Sequence, residues 1–222
     1  SNTKEYGLDD NICFDLVMPS IPGFVFSSAP KYPYGPRKIA SYYDKLMTQI
    51  LNYESYYAQG GDWGGAISTW LGYEHYKNCK GIHLNIMIVR DRNGPQDEAE
   101  KAWQKRFKNE QSLEEGYRTM QATKPQTLAF AMTDNPIGVA AWILEKFHGW
   151  SDLRKKSLIE VYGYDDLITN LMLYILTNSF NTASWIYFGR REEGGRVINF
   201  DGGKVEVPTA CALYPKELLS WP

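Results

Sequence analysis

Five residues, Gly60-Gly61-Asp62-Trp63-Gly64, constrain this chain more than any other stretch. They directly follow a strand candidate at 56–59. A helix pattern over about 65–75 comes next, with Ala66, Trp70 and Leu71 as core contacts. A glycine two positions before and two after a central residue, between strand and helix, is the pattern of a nucleophile elbow. The turn is so tight that its central residue takes strained backbone angles, and the flanking positions have to be small. Gly60 and Gly64 hold those positions. Asp62 then starts a helix, where the Trp63 N–H and the helix dipole stabilise negative charge.

Ser is the commonest residue at such a turn, and Asp changes the chemistry. A carboxylate is already ionised and attacks carbon without a base. It suits ring opening of an epoxide or displacement of a halide, followed by hydrolysis of the resulting ester by activated water. On these five residues alone, a solvated Asp in a Gly-rich turn is an equal reading.

The apolar run 14–18, closed by Pro19-Ser20-Ile21-Pro22-Gly23, reads as a buried strand and a loop. Over 37–51 the residues Ile39, Tyr42, Tyr43, Leu46, Met47, Ile50 and Leu51 recur at helical spacing, and 83–89 is a further strand candidate. Strands alternating with helices argue for an α/β fold with a mostly parallel central sheet. A charged helix is expected over 97–117, and further helices at about 125–131, 136–147 and 164–177. Gly194-Gly195 and 201–203 read as turns, 205–213 as strand, and Pro215 as the first position of a helix. The expected organisation is a core over 1–90, a helical lid over 91–190 and the second part of the core over 191–222.

The length, 222 residues, suits one domain with an insertion. A net charge of −2, with Arg154-Lys155-Lys156 as the longest basic run, gives no electrostatic case for nucleic acid. The apolar runs, such as 137–144, fall far short of the ~18 residues that span a bilayer. Seven Trp and sixteen Tyr suit a large apolar pocket, although a bulky core would use them too. Three cysteines (Cys13, Cys79, Cys211) and three histidines (His75, His83, His148) form no metal-type spacing, so no metal or other cofactor is expected. The sparse cysteines read as reduced buried thiols, and the expected location is cytoplasmic and soluble. No secretory signal or membrane anchor is visible in this span, and a start at Ser1 leaves an upstream one open.

The stretch from Tyr56 to Gly64 resembles the elbow of microsomal-type epoxide hydrolases and their bacterial, fungal and insect juvenile-hormone relatives. Pro19 to Gly23 with Phe24 and Ser27 resembles a loop of that family, and Gly81-Ile82-His83-Leu84-Asn85 its next strand. Gly116-Tyr117, Gln121, Thr123-Lys124-Pro125, the segment 134–147, Asp165-Asp166 with Asn170, and Tyr174 resemble its lid. Val207-Pro208-Thr209, Pro215 and Glu217-Leu218 resemble its acid strand. The match runs in order over nearly the whole chain.

The resemblance implies an α/β-hydrolase fold, incomplete at both ends, and conversion of an epoxide and water to a vicinal diol through an aspartyl ester. It implies Asp62 as nucleophile, Tyr117 and Tyr187 as lid tyrosines on the epoxide oxygen, and Glu217 as the acid that orients a catalytic His. The Trp63 backbone N–H would be an oxyanion donor. The Tyr187 position depends on aligning back to Tyr174. Packing is the better reading for Trp142 and Phe130. Asn135 stands where the family often has Ser.

Two parts of the family pattern have no counterpart in these residues: the His-Gly-x-Pro oxyanion loop, and the His that follows the acid. His75, His83 and His148 read as structural. This piece is therefore expected not to turn over by itself. The implied partner is a small-molecule epoxide, with a homodimer left open. Two rivals stand: an Asp-nucleophile haloalkane dehalogenase, and a truncated homologue without catalysis.

Overall fold

A strand candidate becomes a strand only where another strand supplies its hydrogen-bond ladder. The computed structural model describes residues 5, 7, 13–88, 93–195, 198 and 200–217. Among them three strands pair in the order β1-β2-β3. These are β1 (Tyr56–Gly60), β2 (Cys79–Leu84) and β3 (Thr209–Cys211). Both pairings are parallel, with Gly60 opposite Leu84 and Ile82 opposite Thr209.

α1 (Pro36–Lys45) runs on into a π-helical turn, Leu46–Ile50. α2 (Asp62–Glu74) crosses from β1 to β2. Its residues from Gly65 to Gly72 are buried against the sheet and α1, so the helix is apolar all round rather than striped. Trp70, Ile67, Ile39, Ile82, Leu84 and Ile186 form the centre of the core. Asp44 is a buried polar hub: it accepts from the Tyr56 hydroxyl at 2.8 Å and from Asn78, and lies 3.3 Å from His75 Nδ1. The buried carboxylate thereby ties α1 to β1 and to the turn before β2.

The helices described between β2 and β3 are α3 (Glu98–Glu114), α4 (Gly116–Thr123), α5 (Pro125–Met132), α6 (Pro136–Trp150), α7 (Leu158–Leu176) and α8 (Phe180–Glu192). Local chemistry starts several of them. Asp97 caps α3, Asn135 accepts from the Gly138 N–H to cap α6, and Ser157 with Glu160 makes a capping box on α7. α7 breaks at Gly163, whose φ of 74° no helix accommodates. α4 and α5 pack on α8, and α6 packs on α7. The Glu193 carboxylate accepts the N–H groups of Arg37 and Lys38, each at 3.0 Å, and so fastens the end of α8 to the start of α1. No described helix is long and apolar enough to cross a membrane.

Several sequence expectations are corrected here. Residues 14–18 are not a buried strand: Phe14, Leu16 and Met18 are exposed, and no described strand pairs with them. β2 begins at Cys79, earlier than the expected 83, because its first residues pair with β1. The strand expected over 205–213 shrinks to Thr209–Cys211, the part that reaches β2. Pro215 and Lys216 form a turn, not a helix start. Of the cysteines only Cys79 is buried, and Cys13 is exposed. Val89, Leu218 and the boundary at 90–91 lie outside the described residues.

Candidate active site

The step from β1 into α2 carries the tightest backbone contact of the site. A Cβ on Gly60 would lie 2.1 Å from the Gly64 carbonyl carbon, so only glycine fits. At Gly64 nothing lies within 4 Å of the position a Cβ would take. The steric demand therefore falls on Gly60, and Gly64 contributes its backbone rather than its missing side chain. Asp62 has a φ of 45°, in the left-handed region that non-glycine residues rarely occupy. This is the strain expected of an elbow.

The turn aims the Asp62 carboxylate into a cavity, and its Oδ1 accepts the Trp63 N–H at 2.6 Å. Asp62 is accessible, but to that cavity rather than to bulk water. Protein surrounds the group, and the resulting desolvation pushes its pKa up from the ordinary value. The Trp63 N–H works against this rise, and the like charge of Glu217 adds to it.

Two chambers meet at Asp62. One, of about 500 Å³, is lined in part by Asn85, Glu114, Arg118, Arg190, Lys216 and Glu217. The other, of about 410 Å³, is mostly apolar and reaches Phe24, Trp142, Ile143, Phe147, Tyr162 and Phe180. Asp62, Trp63, Tyr117, Trp150 and Tyr187 border both. Tyr187, on α8, sets its ring edge-on to Trp63 at 4.7 Å and to Tyr117, on α4, at 5.8 Å. Burial raises the Tyr187 phenol well above its usual range, and the Asp62 charge adds to the rise. Tyr174 lines the apolar chamber and is raised by the same two causes.

The four candidate side chains, Asp62, Tyr117, Tyr187 and Glu217, thus face one cavity, although they come from four separate parts of the chain. Trp142 corrects the packing expectation: it lines the apolar chamber and donates its indole N–H to buried Gln121 at 2.9 Å. Phe130 is neither core nor lining, being 74% exposed. Lys146, Glu114 and Trp150 also line the chambers, and nothing in their sequence surroundings marked them. None of the three histidines reaches either chamber. His83 and His148 are exposed, and His75 faces Asp44.

A parallel sheet, a strained carboxylate turn on it and helices closing over that turn are the features of an α/β-hydrolase fold. The alpha/beta hydrolase fold family model matches residues 6–128. Epoxide hydrolase 1 of Oryctolagus cuniculus is 31% identical over 246 residues, covering 100% of this chain and 54% of its own length. Juvenile hormone epoxide hydrolase 1 of Ctenocephalides felis is 34% identical, covering 94% of this chain and 49% of its own. The crystal structure of juvenile hormone epoxide hydrolase from the silkworm Bombyx mori superposes with a TM-score of 0.76 at 28% identity, over 92% of this chain and 53% of that one. The chain belongs to the α/β-hydrolase fold family, in its microsomal-type epoxide hydrolase branch. It spans about half the length of the curated relatives it matches.

Proposed function

We propose that the chain carries the alkylation half of an epoxide hydrolase, and that the complete reaction is hydrolysis of an epoxide to a vicinal diol. The observation that carries this reading is the elbow carboxylate of Asp62 sharing one cavity with the paired phenols of Tyr117 and Tyr187. The free Asp62 oxygen attacks a ring carbon in line. The C–O bond to that carbon breaks, and a phenol proton passes to the departing oxygen. A dehalogenase has no use for two proton donors at that place.

The product of this step is an ester at Asp62. Its hydrolysis requires water to attack the Asp62 carbonyl carbon, with the charge developing on the oxygen that already accepts the Trp63 N–H. Glu217 lies at the cavity to orient a base, but no described histidine does. On this reading the ester outlives its formation when the chain acts by itself. Lid and core are then functional terms: α3 to α8 cover the elbow and supply both phenols.

The test is to incubate the chain with an aryl epoxide such as styrene oxide and to read its intact mass. One adduct is expected, on the peptide that contains Asp62, and Asp62→Asn is expected to show none. An adduct on another carboxyl, or none in a folded wild-type chain, would overturn the proposal.

A further inference from the structure

The ammonium of Lys146, on α6, lies between two aromatic rings. Its Nζ is 5.0 Å from the Tyr117 ring centroid and 5.3 Å from that of Trp150. The two rings are themselves 5.3 Å apart. Glu114, at the end of α3, holds the arrangement from behind. Its Oε2 accepts from Lys146 Nζ at 3.1 Å and from Trp150 Nε1 at 2.9 Å. Glu145 lies 2.7 Å from the same ammonium. Lys146 borders the second chamber and Glu114 the first, so the pair sits in the partition between them, beside the proposed proton donor.

A lysine 18% exposed has been taken largely out of water, which lowers its tendency to stay charged; its two carboxylate partners more than offset this. A cation held over a phenol ring favours the phenolate over the phenol, because the charge that appears on deprotonation is opposite to its own. Trp150 Nε1 engages one oxygen of Glu114 and fixes where the carboxylate can stand. The two carboxylates that hold Lys146 in place also offset its charge, so its effect on Tyr117 rests on its place over the ring.

Resting on the function proposed above, we propose that Lys146, set by Glu114 and Trp150, is a positioning residue that stabilises the Tyr117 phenolate as this phenol gives its proton to the opening epoxide. The proton passes from the Tyr117 oxygen to the epoxide oxygen while the Asp62–carbon bond forms and the ring C–O bond breaks. The negative charge moves from Asp62 to Tyr117, whose ring centroid lies 5.0 Å from the ammonium.

Other charges face Tyr117 as well. From α8 comes the Tyr187 phenol, and across the cavity lie Asp62 of α2 and Glu217. On α4 itself Arg118 is paired with Glu115 at 3.2 Å. Arg190, Arg191 and Lys216 border the chamber that Glu217 lines. Among the described contacts, Lys146 places its ammonium over the Tyr117 ring, while Glu114 and Glu145 oppose it.

The opposition supplies the test. The chain is labelled with tyrosine carrying ¹³C at Cζ, the Tyr117 signal is assigned by its loss in Tyr117→Phe, and its titration is followed by NMR. Lys146→Met is expected to move the Tyr117 titration up by about one pH unit, and Glu114→Gln to move it down. Lys146→Arg keeps the cation and is expected to stay near wild type. Loss of packing alone would move both variants the same way, and that result overturns the proposal, as does an unmoved signal in Lys146→Met. Ester formation with styrene oxide is expected to slow about tenfold in Lys146→Met, matching the same one-unit change. A chain that forms no ester at all would sink the proposed reaction, while the phenol titration would still decide the role of Lys146.

Discussion

The elbow and the helical face opposite it build one cavity by different means. The elbow is a matter of backbone. Gly60 meets Gly64 with no room for a Cβ, and Asp62 is held at a positive φ within a few residues of sequence. The helical face is a matter of side chains brought together from afar: Glu114 reaches Lys146 across 32 residues and Trp142 reaches Gln121 across 21. A site assembled in the first way fails at once when one atom is added. One assembled in the second way loses function piece by piece.

Four changes would break or sharpen that contrast. Gly60→Ala forces a methyl onto backbone and is expected to cost about 3 kcal/mol or more, read as a lowered denaturant midpoint. A loss under about 0.5 kcal/mol would mean that the elbow yields, and the contrast would go. Tyr187→Phe keeps the ring against Trp63 and removes the proton, so ester formation is expected to fall about a hundredfold with the fold intact. An unchanged rate would leave Tyr117 as the one donor. Trp142→Phe leaves the buried Gln121 carbonyl without its partner and is expected to cost about 1–2 kcal/mol by chemical unfolding. No measurable loss would mean that water replaces the indole.

The smallest effect is one of pH. Burial raises the Asp62 pKa, so the folded chain holds that proton more tightly than the unfolded one. The contribution to stability is present at low pH and is lost as pH rises through the raised value. Asp62→Asn, neutral throughout, is expected to melt higher than wild type at neutral pH. The difference should vanish toward about pH 3, below the ordinary Asp value of about 3.9. In wild type, the rate of ester formation is expected to fall on the acid side with a midpoint above the ordinary carboxylate range. A midpoint at the ordinary value would mean that the cavity is wetter than its walls imply.

The same contrast explains what the sequence disclosed. The elbow was legible from Gly60 to Gly64 because its constraint is local and steric. α3, α5, α6 and the longer part of α7 were legible because caps and apolar spacing lie within each segment. The apolar run 14–18 misled because hydrophobicity says nothing about whether a strand stands alongside. β2 was placed too late because Cys79-Lys80-Gly81 has little strand character, and pairing with β1 overrides it. Tyr117, Tyr187 and Glu217 emerged from resemblance, not from pattern. Lys146, Glu114 and Trp142 stayed hidden because their meaning depends on which helices touch.

The fastening of α8 has a mechanical consequence. Its last turn is tied to α1 through Glu193, and a Cβ on Gly189 would lie 2.3 Å from the Tyr34 carbonyl carbon, so the helix rests backbone on backbone. α8 is thereby a fixed jaw, and Tyr187 travels with α1. α4, which brings Tyr117, packs on α8 and belongs to the same jaw, whereas α6, which brings Lys146, packs on α7. Tyr117 and Tyr187 therefore move as one piece, and the Glu114–Lys146 pair is the clasp that joins the segment leading into that piece to α6.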